Sequence, residues 1–234
     1  MQQYIIAELP VAYDAAYPTL RRNSEKYRSE IPAATMLRVV PEELEALRKK
    51  SPLLNDDLRE YMLVGKAFYH HLLRFRGLML HASAVVVDNE AYLFSAPSGT
   101  GKSTHTSLWL EYFGEKAYIL NDDKPAIRLF PDGVYAYGTP FSGKYDISVN
   151  AKVPLRGIAF IERSETNYVE RQTKKQALYS ILNQTARPED VSLYTLLLST
   201  VGELLERVNV FTLHCNISRE AVSVSYEEMR KGTV

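Results

Sequence analysis

The chain has 234 residues, of which 46% are hydrophobic and 24% charged, so a disordered or low-complexity chain is excluded and one or two domains are expected. Lys plus Arg and Asp plus Glu both number 28, which argues against binding nucleic acid or a membrane surface through excess positive charge. No apolar run approaches the ~20 residues of a transmembrane helix. The first residues lack a signal-peptide pattern and Cys215 is the single cysteine, so we expect a cytoplasmic protein.

Residues 1–77 carry two short strand-like runs followed by two helical patterns. The strands are predicted at 4–7 and 36–40, and the helices at 41–50 and from Asn55 to Gly77. Apolar residues recur at helical spacing in the second helix, at Leu58, Met62, Phe68, Leu72 and Leu73. This part holds no recognisable catalytic motif. We expect a small N-terminal α/β region that recognises an acceptor or contacts a second copy of the chain.

Residues 78–234 alternate strand and helix patterns. Two β-prone runs at 78–87 and 91–95 flank residues 88–90 and predict an antiparallel hairpin whose second strand leads into a Gly-rich turn. Further strands are predicted at 117–120, 125–129, 134–137, 155–161, 168–171 (an edge strand) and 210–214. Helices are predicted at 103–113, 174–184, 188–207 and 219–231.

The segment APSGTGKS at 96–103 matches the phosphate-loop pattern GxxxxGK[ST] except at Ala96. Gly99 and Gly101 would let backbone N–H groups turn toward phosphate oxygens, where the N-terminus of the following helix adds positive potential. Lys102 could reach the outer phosphates, and Ser103 could place its hydroxyl on Mg²⁺. The alternative is a plain glycine-rich connector between a strand and a helix.

Asp122 and Asp123 follow the apolar strand at 117–120. Adjacent carboxylates at a strand end are costly unless a cation or hydrogen-bond donors meet them. One carboxylate would bind the metal. The other, its pKa raised by its neighbour, would remove a proton from an attacking hydroxyl. The alternative is a solvated turn.

The runs LHASAVVV, AYLFSAPSGTGKST and ILNDDKPAI together resemble the kinase core of HPr kinase/phosphorylase and, more remotely, ATP-dependent phosphoenolpyruvate carboxykinase. The resemblance covers about residues 80–163. It implies an α/β fold with a mixed sheet, in which a phosphoenolpyruvate carboxykinase/HPr kinase-like P-loop core at 78–234 follows the small N-terminal region. The hairpin supports a mixed sheet independently, because ordinary P-loop domains are built from parallel βαβ units.

The resemblance also implies site residues. The catalytic group would be Lys102, Asp122, Asp123 and His81, the last corresponding to a His that lies near the phosphate in HPr kinases. The nucleotide would be held by Ser98, Gly99, Thr100, Gly101, Lys102, Ser103 and Thr104. Mg²⁺ would be bound by Ser103 and Asp122, although the sequence does not say which of the two aspartates is the base. A core His bonded to backbone is the alternative for His81.

Two more cations were considered for contact with the phosphate or the acceptor. Lys144 lies in a polar loop, where a solvated turn is an equal alternative, and Arg156 lies on a strand, where a surface ion pair is favoured. His105, in the first turn of the helix after the loop, is expected to be a wet surface residue. Trp109 on the same helix is expected to pack in the core, with adenine stacking as the alternative.

These features predict an ATP- and Mg²⁺-dependent kinase that transfers the γ-phosphoryl group to a hydroxyl, most simply a serine of a small protein or peptide. The alternative is a nucleotide-binding regulatory or structural protein that does no chemistry. Carboxykinase chemistry is disfavoured by the length of the chain. Neither a nucleic acid nor a membrane is expected as a partner, and the sequence does not decide between ATP and GTP.

Overall fold

The computed structural model describes residues 1–143 and 145–231. Its strands are β1 (Gln2–Ile6), β2 (Leu9–Tyr13), β3 (Thr35–Met36), β4 (Gly77–Met79), β5 (Ala82–Val87), β6 (Glu90–Ser95), β7 (Ala117–Asp123), β8 (Ala126–Phe130), β9 (Gly133–Tyr137), β10 (Lys152–Arg163), β11 (Tyr168–Arg171) and β12 (Asn209–Cys215). Its α-helices are α1 (Pro18–Ser24), α2 (Pro41–Lys50), α3 (Asp56–Leu73), α4 (Lys102–Phe113), α5 (Lys174–Asn183), α6 (Val191–Arg207) and α7 (Arg219–Arg230).

The strands form two sheets, and the larger one is mixed. Strands β1, β2 and β3 form a small sheet, while the other nine form a sheet with the order β4-β8-β9-β10-β6-β5-β7, to which β12 and then β11 are added at β10. The long strand β10 joins the two halves. Its first residues pair antiparallel with β9, and its later residues pair parallel with β6 and β12. The mixed α/β architecture expected from the hairpin is therefore present.

The direction of the strands collects several chain segments at one edge of this sheet. Strand β5 is antiparallel to both β6 and β7, so β6 and β7 run in the same direction, and β10 is parallel to β6. Ala82, at the start of β5, pairs with Ser95 on one side and Asp123 on the other. The carboxyl ends of β6, β7 and β10 therefore lie beside the residue that precedes β5.

The predicted hairpin of β5 and β6 is confirmed. The two residues between the strands, Asp88 and Asn89, have φ angles of 49° and 63°. Positive φ at both central residues is the geometry of the two-residue turns whose twist matches that of a hairpin. The hairpin at β8 and β9 is confirmed as well.

Helices cover both faces of the sheet. On β5, Ala84 and Val86 pack into a buried cluster with residues of α5 and α6, whereas Val85 and Val87 pack into a second cluster with α4 and α7. Both faces of this strand are buried, which agrees with the unbroken apolar sequence of its residues 84–87. A third cluster joins the small sheet and α3 to Tyr137 and Phe141.

Two expectations about residues 73–87 were wrong. The helix from Asn55 ends at Leu73, and Gly77 begins β4, where its lack of a side chain matters because a Cβ would lie 2.6 Å from a methyl carbon of Leu72. The run at 78–87 is two strands, since β4 pairs with β8 whereas β5 pairs with β6 and β7. His81 therefore precedes β5 in a short connection and is not part of a strand.

The N-terminal part differs from its prediction in detail. Strand β2 and helix α1 were missed, and the strand expected at 36–40 is reduced to the pair Thr35–Met36. Leu58 and Met62 of α3 are exposed, so the buried face of this helix is built from other residues, among them Tyr61, Val64 and Phe68. The division into 1–77 and 78–234 stays a prediction. Within the described residues, no helix is long and apolar enough to cross a membrane.

Candidate functional site

The glycine-rich turn connects β6 directly to α4. Gly99 and Gly101 have φ angles of 78° and 127°, a region that side-chain-bearing residues rarely adopt. The 12-residue helix α4 begins at Lys102, at the end of this turn. A helix N-terminus that follows a turn of this kind presents backbone N–H groups and positive potential, the combination that binds anions.

Lys102 is folded back on the turn. Its Nζ donates a hydrogen bond to the carbonyl of Ala96 at 3.0 Å. Burial lowers the pKa of Lys102, and the carboxylates of Asp123 and Asp122 oppose this effect. A half-buried ammonium bonded to one carbonyl would gain from an anionic partner.

Ser103 and Asp122 are joined across the site. The Ser103 hydroxyl lies 3.1 and 3.2 Å from the two carboxylate oxygens of Asp122 and donates a hydrogen bond to them. The first turn of α4 and the end of β7 therefore supply a hydroxyl and a carboxylate at one point.

Asp123 has different neighbours. Its Oδ1 lies 3.3 Å from Nε2 of His81, and its Oδ2 lies 2.7 Å from Nζ of Lys124. Nδ1 of His81 is 2.9 Å from Oε1 of Gln184, which fixes the ring. Burial favours the protonated form of Asp123, but the hydrogen bond with His81 and the charge of Lys124 outweigh it and hold the pKa below its ordinary value. The expectation that an aspartate acting as base has a raised pKa is therefore wrong for Asp123.

The position of the two carboxylates is fixed by a buried neighbour. Asn121 is fully buried and donates from Nδ2 to the carbonyl of Thr139 at 2.9 Å, while its Oδ1 accepts the N–H of Lys124 at 2.8 Å. Asp123 has a φ of 136°, which is strained for a residue with a side chain. The surroundings impose this conformation, as is common where side chains are aimed at a site.

These groups surround one cavity of about 440 Å³. Of the residues proposed from the sequence, the structure brings nine to its wall: His81, Ser98, Gly99, Gly101, Lys102, Ser103, Thr104, Asp122 and Asp123. Ser142, Gly143 and Tyr145 also line this cavity. We call this space the phosphate cavity.

The two further cations proposed from the sequence have different outcomes. Lys144 lies outside the described residues. Arg156 lies near the amino end of β6, because Leu155 pairs with Ala91, and its Nε is 3.9 Å from a carboxylate oxygen of Glu90. It does not line the phosphate cavity, and the surface ion pair describes it better.

A second cavity of about 490 Å³ also borders the glycine-rich turn, and we call it the side cavity. Gly99, Gly101 and Thr104 line both cavities, whereas Thr100 lines only the side cavity. The rest of its wall combines apolar residues with polar ones. The apolar residues are Leu108, Ile161, Cys215 and Ile217, and the polar ones are His105, Arg163, Ser164 and Asn216.

His105 is not a surface residue, contrary to expectation. It is 3% exposed, and its Nε2 accepts the indole N–H of Trp109 at 3.0 Å. Burial lowers the pKa of His105 to about 4. Trp109 is fully buried against Tyr92 and Phe94, which supports the expected core role for the indole ring.

Three residues of the site were missed from the sequence. Gln184 orients His81, Tyr61 accepts the N–H of Gly143 at 3.0 Å, and Arg163 donates to two carbonyls of the glycine-rich turn. Each lies far along the chain from the motif that it supports. The sequence held a signal only for Arg163, which lies in a polar run directly after the strand predicted at 155–161.

No protein-family model matches this chain, and no curated protein matches it in sequence. Among solved structures, the HPr(Ser) kinase/phosphatase from Coxiella burnetii aligns with 64% of this chain and 92% of its own chain, with a TM-score of 0.36 and 13% sequence identity. It is a distant structural neighbour.

Proposed function

We propose that this protein is a kinase that transfers the γ-phosphoryl group of ATP to a hydroxyl group, most simply a serine of a small protein or peptide. The proposal rests chiefly on one observation. The Ser103–Asp122 pair, Lys102 and the His81–Asp123 pair line a single cavity at the end of the glycine-rich turn. Phosphoryl transfer depends on positioning and on stabilisation of charge, and this set provides both.

The donor side of the cavity is the glycine-rich turn and the N-terminus of α4. The N–H groups there and the ammonium of Lys102 would hold the phosphates. To do so, Lys102 exchanges its bond to the carbonyl of Ala96 for a phosphate oxygen. The side cavity shares Gly99, Gly101 and Thr104 with the phosphate cavity. Its wall combines apolar side chains such as Leu108 and Ile161 with a few polar groups, so it would take the nucleoside.

The residues fit a magnesium ion that arrives with the nucleotide. Within the described residues, no group of three or more His, Cys, Asp or Glu side chains could hold a metal ion by itself. Mg²⁺ is usually bound by one or two carboxylates together with phosphates and waters, which agrees with one carboxylate and one hydroxyl at Asp122 and Ser103. When bound, the ion would neutralise charge that develops on the phosphates.

Asp123 would serve as the base. It accepts the proton of the acceptor hydroxyl while the new oxygen–phosphorus bond forms, and the bond from the γ-phosphorus to the bridging oxygen breaks to leave ADP. His81 and Lys124 keep the carboxylate ionised and aimed. A carboxylate with a low pKa suits this reaction, because a loose transition state calls for orientation of the hydroxyl more than for strong basicity.

The acceptor would enter from the side that Gly143 and Tyr145 form. Tyr61 of α3 holds the N–H of Gly143, which connects the N-terminal region to this wall. Recognition of the acceptor by residues 1–77 fits this connection. We therefore propose a protein or peptide as the acceptor of the phosphoryl group.

The test is transfer of labelled γ-phosphate from ATP to a library of serine-containing peptides. Because Asp123 acts in the chemical step, Asp123→Asn should keep ATP affinity while transfer falls by ~100-fold or more. Asp122→Asn should instead weaken the dependence of binding on Mg²⁺. Asp132→Asn, in the turn between β8 and β9, is the matched control and should behave as the parent.

Two results would contradict the proposal. If the parent protein binds ATP but labels no peptide, the alternative of a nucleotide-binding protein without chemistry is favoured. If both aspartate variants transfer phosphate at the parental rate, these residues are a solvated turn and not a catalytic pair.

A further inference from the structure

The side chain of Arg163 donates hydrogen bonds to the backbone of the glycine-rich turn. Arg163 is the last residue of β10, the parallel neighbour of β6. Its guanidinium donates to the carbonyl of Gly99 at 2.7 Å through Nη2 and to the carbonyl of Thr100 at 3.1 Å through Nε. Two successive carbonyls of the turn are thus bonded to one rigid, planar group.

Because of the geometry of the peptide bond, these contacts also set the direction of a backbone N–H of the turn. In a trans peptide the C=O and the following N–H point in opposite directions. A carbonyl of Thr100 held by Arg163 therefore aims the N–H of Gly101 away from the guanidinium. Lys102 and Ser103 line the phosphate cavity and not the side cavity, whereas Arg163 lines the side cavity and not the phosphate cavity. Gly101 lies between them and lines both.

The hydrogen bonds of Arg163 also support the turn that precedes the N–H of Gly101. The N–H of Thr100 donates to the carbonyl of Pro97 at 3.2 Å, and the Gly99 carbonyl that Arg163 holds belongs to the same peptide unit as that N–H. Gly99 and Gly101 provide the required positive φ angles but, as glycines, they also allow many other conformations. A side chain outside the loop is therefore needed to select one of them.

Within the described part of the chain, no nearby carboxylate neutralises the charge of Arg163. Among the described residues, no carboxylate lies within 4.0 Å of its guanidinium, whereas most other arginines with close contacts here are paired with Asp or Glu. An unneutralised guanidinium behind an anion-binding turn favours anions in front of it.

We propose that Arg163 is a positioning residue for the phosphate-binding turn: it fixes the carbonyls of Gly99 and Thr100 outward so that the turn is already shaped to receive a polyphosphate. This inference rests on the proposed nucleotide-binding function. Preorganisation of this kind raises affinity because less ordering is left to occur on binding.

The test compares two probes by calorimetry in the presence of Mg²⁺: ATP and inorganic tripolyphosphate, which has no nucleoside. Arg163→Met should weaken both by about tenfold or more, because the turn contacts phosphate in both probes. Tripolyphosphate reports on the turn alone, because Arg163 also lines the side cavity proposed for the nucleoside. Arg163→Lys should remain weak, since an ammonium restores the charge but cannot hold two carbonyls as a fork does. Arg171→Met, on the exposed edge strand β11, is the matched control and should bind as the parent.

A second readout examines the turn without any ligand. Amide hydrogen exchange of residues 98–101 should be faster in Arg163→Lys than in the parent, while the strands β6 and β10 keep their protection. This variant also carries the test if Arg163→Met fails to fold.

The outcomes separate this inference from the proposed function. A parent protein that binds neither probe contradicts both. A parent that binds both probes contradicts the positioning role alone if tripolyphosphate affinity is unchanged in the variants. The same holds if Arg163→Lys restores full affinity, because charge alone would then explain the effect.

Discussion

The two adjacent aspartates differ because their neighbours differ. Asp122 faces the hydroxyl of Ser103, and Asp123 faces His81 and Lys124. The sequence could predict a pair of carboxylates near a glycine-rich turn, since both motifs are short and local. The sequence could not assign different roles to Asp122 and Asp123, because His81 reaches Asp123 only through the pairing of β5 with β7.

The burial of His105 also could not be predicted from the local sequence. It leads to a prediction about pH. An unfolded His takes up a proton near pH 6.5, whereas burial lowers the pKa of folded His105 to about 4. Between these values the unfolded state binds more protons, so this contribution to stability is complete above pH 6.5 and is lost as pH falls toward 4. From pH 7.5 to pH 5 the loss due to His105 should be about 2 kcal/mol.

The measurement is urea unfolding of the parent and of His105→Gln at both pH values. Glutamine keeps an acceptor for the indole N–H of Trp109 but does not titrate. The difference in unfolding free energy between the two pH values should be smaller in the variant by about 2 kcal/mol. The same pH dependence in both proteins would show that His105 is not the group responsible.

At the scale of single elements, local signals predicted most of the helices and hairpins. Helix α2 matches its predicted bounds, and the hairpins at β5–β6 and β8–β9 follow from turn residues flanked by apolar runs. Elements without such signals were missed, as β2 and α1 show. Helix α3 is the element that connects the N-terminal region to the site, through Tyr61.

The N-cap of α3 provides a prediction at this scale. The side chain of Asn55 accepts the N–H of Leu58 at 2.9 Å. Asn55→Ala leaves that donor without its partner and should lower the free energy of unfolding by about 1 kcal/mol, whereas Asn55→Asp should change it by only a few tenths. Chemical denaturation of the three proteins checks this, and equal losses in both variants would contradict a capping role.

At the scale of the whole molecule, the order of strands could not be predicted from local patterns. The sequence indicates a mixed sheet through one hairpin, but the parallel pairing of β6 with β10 depends on chain segments about 65 residues apart. That pairing brings Arg163 to the glycine-rich turn. The turn and the acidic pair of the site can therefore be predicted from local sequence. The contacts that distant residues make with them depend on the order of the strands.

Gly138 marks a point where distant segments meet closely. A Cβ at this position would lie 1.9 Å from the carbonyl oxygen of Val149 and 2.8 Å from that of Leu120, both in the backbone. Gly138→Ala must therefore move the chain and should destabilise the protein by roughly 3 kcal/mol.

Gly202 of α6 is the matched control for this substitution. A Cβ there meets nothing within 4 Å, so Gly202→Ala should stabilise the protein by about 0.5–1 kcal/mol through helix propensity. Thermal unfolding of both variants tests the contrast. A Gly138→Ala protein as stable as the parent would mean that the contact between these segments is wrong.

The measurement that tests the central claim most directly is calorimetric titration of the protein with ATP and Mg²⁺, for the parent and for Lys102→Ala. Lys102 is the side-chain cation at the start of α4 that lines the phosphate cavity, and charge-assisted contacts of this kind are worth ~1.5–3 kcal/mol. The parent should bind, Lys102→Ala should bind more weakly by over about tenfold, and the exposed control Lys116→Ala should match the parent. Equal affinity of the parent and Lys102→Ala for ATP, or no binding by the parent, would contradict the account.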